Sequence, residues 1–512
     1  MNQHLKHIVV LGGGSAGWLT ASIIAAEHCC NSPNGVKITL IESPDVATVG
    51  VGEGTWPTMR QTLSRIGISE KIFFRECDAS FKQGSQFRGW VNGSDTDAYY
   101  HPFVLPEGYF EANLHNYWRR QFRGASYADT FTSQTHLCKK GLAPKQMATP
   151  DYAAVVNYGY HLNVGKFGQL LQRHATSKLG VNHILDHVTG VNSADNGDIH
   201  SLSTHNHGEL KADLFIDCSG SASLLLGKHY NIGWRDCRPY LFNDRAVATQ
   251  VPYSDPEAPI ASTTISTAQN EGWIWDIALP TRRGVGFVYA SEFTSDDQAE
   301  QNLREHIERD TSENIFSSLN IKAIKFDPGH RHQFWHRNCI GVGMSAGFIE
   351  PLEASALVMV ELAAEMIRDD LPTNREMMDY TARRFNEKFL YRWDRVIEFL
   401  KLHYVLSQRK GEYWNAHRNP ESIPESLSEK LMLWKHRPPS ELDFDRKGEV
   451  FPSASYQYVL YGMGFNTEPR STYKVSDNDA TIEKFIAMNR QKLTKYINAL
   501  PSNRAMIKHL LR

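Results

Sequence analysis

Residues 7–11, His-Ile-Val-Val-Leu, run directly into Gly12-Gly13-Gly14-Ser15-Ala16-Gly17, and a helical pattern follows from Trp18 to about Glu27. A short, almost wholly apolar run reads as a buried strand of a parallel sheet. Residues 36–41, Val-Lys-Ile-Thr-Leu-Ile, read as a second strand and end in Glu42. Strand, helix and strand of these lengths form a βαβ unit, so the chain opens as an α/β fold. Each glycine has a physical reason. Gly12 permits the tight turn, Gly14 lets the backbone approach a phosphate, and Gly17 lets the helix pack close to the strand. Ser15 and Ala16 open the helix, whose N-terminus favours negative charge. Glu42 comes 25 residues after Gly17, where a carboxylate accepts hydrogen bonds from a ribose diol, favouring FAD or NAD over NADP.

Later segments favour flavin. Leu214–Gly220 reads as a buried strand with a tight turn. Cys339–Val342 reads as another, followed by the glycine loop Gly341-Val-Gly343-Met-Ser-Ala-Gly347. Such a loop could wrap the ribityl chain and pyrophosphate through Gly343 and Gly347. A second full GxGxxG unit is absent, so no separate NAD(P)H domain is expected and reducing equivalents come from outside. A helix is expected over residues 160–178, an antiparallel sheet within residues 260–293 and a long helix over 375–404. Pro420–Pro439 reads as the most loop-like stretch.

Composition removes several classes. Lys plus Arg is 55 against 57 for Asp plus Glu, a net charge of −2 over 512 residues. That leaves no bulk basic field for nucleic acid or an anionic membrane. The seven cysteines are odd in number and include no C-x-x-C, which points to free thiols in a reducing cytoplasm rather than a disulfide framework or zinc ribbon. No apolar run is long enough for a transmembrane helix. His330, Arg331, His332 and His336 lack further ligands at metal-binding spacing and read as surface or packing residues, so no metal is expected.

Further motifs carry a resemblance. These are Gly50-Val51-Gly52-Glu53-Gly54-Thr55; Phe81-Lys82 within Asp78–Gly84; Gly272-Trp273-Ile274-Trp275-Asp276-Ile277; and Phe348-Ile349-Glu350-Pro351-Leu352-Glu353-Ala354-Ser355-Ala356-Leu357. With Gly12–Gly17 they resemble the flavin-dependent tryptophan and indole halogenases over nearly the whole chain. One departure stands out: the W-x-W-x-I-P signature has Ala278 at its proline, with Pro280 two residues later.

The resemblance implies an α/β, two-domain FAD-binding flavoprotein fold of the glutathione reductase and p-hydroxybenzoate hydroxylase type (GR2/PHBH-like), with an inserted mixed β-sheet. Residues 1–375 would form the FAD-binding body, with the inserted antiparallel sheet and the halide and lysine sites. Residues 376–512 would form a mainly helical part completing the substrate pocket. It implies FAD, supplied as FADH2 by a separate flavin reductase, and chloride or bromide as co-substrate. Val51, Gly52 and Glu53 would lie beside the flavin. Trp273 and Trp275 would gate the flavin site against direct oxygenation of the substrate. Hypohalous acid would pass through a tunnel to Lys82, and Glu353 would take the proton from the ring. Ser355 and Ala356 would offer backbone amides to the halide, where the family usually has Thr-Gly or a similar small pair. His101 and Phe103 would stack on an indole, with Trp434 and Trp414 as candidates for a third aromatic wall. Residues 410–470, which include Tyr456, Tyr458 and Tyr461, lack the family's Tyr-Tyr and Glu cluster for an amino-acid backbone, which favours indole or a simple derivative over free tryptophan and leaves peptide-bound or carrier-bound tryptophan open. Two alternatives stay open from sequence: a flavin monooxygenase on an aromatic substrate, and a non-catalytic FAD-binding paralogue. A homodimer is also left open.

Overall fold

The computed structural model describes residues 4–28, 30–45, 52–122, 124–311, 315–446, 448–468 and 475–512. Cys29, Gly50 and Val51, the last expected beside the flavin, lie outside the described residues. The chain divides into two compact units, each built from three segments. One comprises Met1–Ala79, Leu162–Cys237 and Phe326–Trp393; the other comprises Ser80–His161, Arg238–Lys325 and Asp394–Arg512. The expected cut at 375/376 falls at the first turn of the Arg375–Val405 helix, within which the two units divide instead.

The first unit holds a six-stranded sheet ordered Trp335–His336, Cys339–Gly341, Leu214–Asp217, His7–Leu11, Lys37–Glu42 and Asn182–Leu185. The last five are parallel, and Trp335–His336 is antiparallel at the edge. Val9 pairs with Thr39 on one side and Phe215 on the other. The central strand is therefore enclosed, which is why its sequence is apolar without alternation. On one face Val9, Leu11, Ile41, Phe215 and Cys339 pack with Ile199 and Leu202 from an antiparallel ribbon. On the other, the Ser15–Glu27 helix packs against the Val164–Ser177 and Ser355–Asp369 helices. Each fully buried Val or Ile here contributes roughly 1.5–3 kcal/mol. The strands Leu11, Glu42, Asp217 and Gly341 end along one edge, where ligands of open parallel sheets bind.

The second unit holds a seven-stranded sheet ordered Lys322–Lys325, Arg245–Pro252, Arg282–Tyr289, Gly272–Ala278, Thr264–Gln269, Gly84–Arg88 and Ala98–Pro102. It is mixed, because Thr264–Gln269 runs parallel to Gly84–Arg88 while the other pairs are antiparallel. Alternation gives the sheet two different faces. Ile274, Val285 and Phe287 pack under Ala299, Leu303 and Ile307 of the Asp296–Thr311 helix. The opposite face carries Trp273 and Trp275. The Ser453–Gly462, Val475–Ala499 and Asn503–Leu511 helices follow.

Two local expectations are corrected. Residues 160–178 are not one helix: Gly159–Leu162 is a strand, and the helix is Val164–Ser177. Asn163 separates them by accepting hydrogen bonds from the Gly165 and Lys166 amides, an N-cap that starts the helix there. Pro420–Pro439 contains the Glu425–Trp434 helix. Its prolines stand before and after the helix rather than inside it, where they do no damage.

Candidate active site

The glycine loop of the first unit is built around close approach. Gly12 has φ +118°, and a Cβ there would lie 2.2 Å from the Cys218 carbonyl oxygen. A Cβ on Gly17 would lie 1.9 Å from the Gly12 oxygen, so the helix can seat on the strand only through glycine. Gly14 is different, since nothing lies within 4 Å of the position its Cβ would take. It caps the Ser15–Glu27 helix without any side-chain hydrogen bond. The result is an open approach to the first turn of the helix, where Ser15 and Ala16 stand, which suits a pyrophosphate. Gly13, not singled out by the motif reading, lies under the Glu42 carboxylate; a Cβ there would sit 1.4 Å from Oε2. Glu42 Oε1 is 2.7 Å from His183 Nε2 and accepts from Gln172 Nε2 at 3.3 Å. This carboxylate, aimed over the loop, suits a ribose, and the residues present fit a dinucleotide such as FAD.

The other predicted cofactor residues divide by role. Gly343, at φ +72°, would put a Cβ 2.8 Å from that of Ala16, so the second glycine loop abuts the start of the same helix. Gly52 has φ +104°, and Glu53 is half-buried in the short Glu53–Gly54 strand. Gly347 owes its glycine to packing: its Cβ would meet the Trp393 ring at 2.6 Å and His330 Cβ at 2.7 Å. His330 itself is buried and stacks on Trp393 with centroids 5.3 Å apart.

Glu353 is buried in the same unit and sits in a short turn before the Ser355–Asp369 helix. Glu353 (φ 62°) and Ala354 (φ 55°) are consecutive non-glycine residues in the left-handed region. Each costs on the order of 1–3 kcal/mol, so the surroundings must enforce them. Trp56 Nε1 donates to the Glu353 carbonyl at 2.9 Å. The helix that follows has Ala354 as N-cap with no side-chain hydrogen bond, and no acidic residue in its first turn. A left-handed residue followed by right-handed Ser355 is a backbone order in which successive amides can turn toward one point. Ser355 and Ala356 thus stand where such amides open the helix.

Lys82 belongs to the second unit. It ends the Ser80–Lys82 strand, fully buried, paired antiparallel with Gly159–Leu162. Its Nζ lies 5.5 Å from the Phe103 ring centroid. Gly84, at φ +148°, makes this approach possible, because a Cβ there would lie 2.4 Å from the His101 oxygen. His161, opposite Ser80 and on the Lys82 face of the ribbon, donates or accepts at Thr264 Oγ1 over 2.8 Å. Burial, and then the Lys82 charge, hold the His161 imidazole well below its ordinary pKa, so it is neutral. His101 is buried, with Nε2 2.8 Å from Ser455 Oγ and its ring near Phe399 and Tyr458. Lys82, Phe103 and His161 therefore gather, and His101 stands on the neighbouring strand. His161 and Ser455 gave no sequence signal, since pairing across strands and helices brings them in.

Trp273 and Trp275 share the sheet face opposite the Asp296–Thr311 helix, with centroids 6.4 Å apart in an edge-on arrangement. Trp275 lies over Gly286, whose Cβ would meet its ring at 2.2 Å. Trp273 is flanked by Trp90 at 6.3 Å. Ala278, at the departure, ends the Gly272–Ala278 strand and its carbonyl accepts from Ser80 Oγ at 2.5 Å, while Pro280 falls in the turn. Trp414 and Trp434 are fully buried with their indole N–H groups satisfied by the Gln269 carbonyl (2.9 Å) and Asp443 Oδ2 (3.0 Å). Both serve the core, and the rings found beside His101 are Phe399 and Tyr458.

Comparison with known proteins agrees with this geometry. The tryptophan halogenase family profile matches residues 7–478. A tryptophan 7-halogenase of Kutzneria, KtzQ, is 30% identical, covering 99% of each chain. The crystal structure of a tryptophan halogenase from Shewanella frigidimarina superposes with a TM-score of 0.96 at 48% identity, covering 99% of this chain and 98% of that one. BrvH, a flavin-dependent halogenase from Brevundimonas, gives 0.86 at 28% identity, covering 99% of each. With a glycine cradle fit for a dinucleotide, a buried lysine and matches along nearly the whole chain, this protein belongs to the tryptophan halogenase family.

Proposed function

We propose that this chain is a flavin-dependent halogenase. It uses FADH2, O2 and chloride or bromide to form hypohalous acid and places the halogen on an electron-rich aromatic ring of the indole type. The observation that carries the reading is the fully buried Lys82 ammonium beside the Phe103 ring, with His161 next to it held neutral. Lysine is rarely buried in full, and this one ends on an aromatic face at the position the halogenase motif assigns to it.

Bound reduced flavin supplies the two electrons with which O2, halide and a proton yield hypohalous acid and water. The chain's residues do the rest. The Ser355 and Ala356 amides hold the halide without a bulky cation. Lys82 donates a hydrogen bond to the oxygen of hypohalous acid, weakening the oxygen–halogen bond. As the carbon–halogen bond forms, the oxygen–halogen bond breaks and the oxygen takes a proton from the Lys82 ammonium, leaving as water; the proton lost from the ring balances the one Lys82 gives up. Glu353, by its match to the family motif, accepts the ring proton. Trp273 and Trp275 keep the substrate from the flavin.

Indole or a simple derivative is the proposed substrate rather than free tryptophan. Tyr458 spends its hydroxyl on the Val104 carbonyl (3.0 Å) and Tyr461 pairs with Thr467 (3.3 Å), both buried, so neither is offered to an amino-acid carboxylate. A separate flavin reductase delivers FADH2, and a reducing cytoplasm is the proposed location. Among the described residues no helix is long and apolar enough to cross a membrane.

Lys82→Ala tests the assignment. Halogenated product is expected to fall by roughly 100-fold or more, while NADH consumption through the reductase and flavin continues. Retained halogenation in this variant would overturn the role of Lys82.

A further inference from the structure

Glu361 lies on the helix whose N-terminus carries the halide reading, and it is buried. Its carboxyl accepts from Thr62 Oγ1 at 2.6 Å and from Thr58 Oγ1 at 3.2 Å. The two threonines are one turn apart on the Thr58–Ile66 helix, so Glu361 grips one face of it. Immediately before that helix is Trp56, whose indole N–H holds the Glu353 carbonyl. Burial pushes the Glu361 carboxyl up to about 8, with Glu365 adding to the rise and the two threonines opposing it. A leucine would fill the same space without the cost of burying a polar group. The carboxyl is therefore kept for the two contacts it makes.

We infer that Glu361 and Trp56 act as one positioning device. Glu361 fixes the Thr58–Ile66 helix on the Ser355–Asp369 helix, and Trp56 thereby holds Glu353 and Ala354 in the left-handed conformation that aims the Ser355 and Ala356 amides at a halide. Neither residue touches the reacting groups. The inference rests on the halide reading above and adds what enforces that site's backbone. The Glu353–Ala354 turn contains no glycine, so the conformation needs an external tether. The Trp56 hydrogen bond is such a tether, and it is only as firm as the helix that follows it.

The test uses the full chain and four variants: Glu361→Leu, which keeps volume and removes the grip; Trp56→Phe, which keeps an aromatic ring and removes the N–H donor; the double variant of these two; and Glu361→Gln, which keeps the contacts without a charge. Bromide KM, indole KM and FAD affinity are measured for each. Hydrogen exchange of the Ser355 and Ala356 amides is followed without flavin. Glu361→Leu and Trp56→Phe are each expected to raise bromide KM about fivefold, with indole KM and FAD affinity within about twofold of the parent. Exchange at the two amides should quicken in both. The double variant should be no worse than the more affected single one, because both cut the same tether. Glu361→Gln should stay near the parent. Unchanged bromide KM and exchange in Trp56→Phe, equal shifts in all three constants, or additive effects in the double variant would each overturn the inference. If Glu361→Leu fails to fold, Trp56→Phe and Glu361→Gln decide the matter. A parent protein without bromide-dependent product would instead sink the halogenase reading, and amide exchange would still judge the tether.

Discussion

Gly12 shows how a single missing side chain governs both fold and ligand. Its left-handed φ of +118° and its contact with Cys218 exclude any Cβ. Gly12→Ala is expected to destabilise the protein by about 2 kcal/mol or more and to abolish FAD retention, read by thermal melting and flavin fluorescence. Gly12, Gly14 and Gly17 were legible because their spacing is local. Gly13 and Gly286 were not, since the groups that forbid a Cβ there, Glu42 and Trp275, come from other strands. Lys82 was legible by its motif, but its burial and its approach to Phe103 were not. Those depend on strand pairing with Gly159–Leu162 and on Gly84. Sequence offers Trp414 and Trp434 only as candidates for a third aromatic wall, and their burial, with both indole N–H groups already bonded, comes from packing that sequence does not show.

Elements with a strong local pattern came through almost unaltered. His7–Leu11 and Lys37–Glu42 follow from short apolar runs, the helix after the first from the glycine loop that opens it, and the long Arg375–Val405 helix from apolar residues spaced three and four apart. The Gly159–Leu162 strand was hidden because its apolar residues continue those of the helix, and only the Asn163 cap divides them. Between the Thr58–Ile66 and Ser355–Asp369 helices, Glu361 makes stability depend on pH. Its folded pKa is raised from 4.5 to about 8 by burial, so the folded state binds the proton more tightly than the unfolded chain. Stability from this group is complete below about pH 4.5 and is lost as pH rises to about 8. Facing it are Thr58, Thr62 and Glu365, none of them cationic. Glu361→Gln should remove a slope of up to about 1.4 kcal/mol per pH unit in that window. Melting of parent and variant from pH 5 to 8 should show the variant gaining relative stability. Parallel curves would contradict this account of Glu361.

At the scale of the whole molecule the chain is read as α/β with a mixed sheet and helical end, and the two units are discontinuous in sequence. Composition and motif order cannot show where a chain crosses from one unit to the other, because each crossing is fixed by long-range pairing. The consequence is mutual dependence of distant segments. Phe385, Phe389 and Trp393 bury against Trp335, Phe334 and His330 within the first unit. A chain ending at residue 375 loses these contacts and is expected to be unfolded or aggregated by circular dichroism. A folded, FAD-binding fragment of that length would refute this dependence.

The most direct measurement combines the protein with FAD, NADH, a flavin reductase, O2 and indole, supplying bromide, chloride or neither. The account predicts a product whose mass spectrum carries the isotope pattern of whichever halide was added, and no such product without halide. An oxygenated indole formed equally well without halide would contradict it.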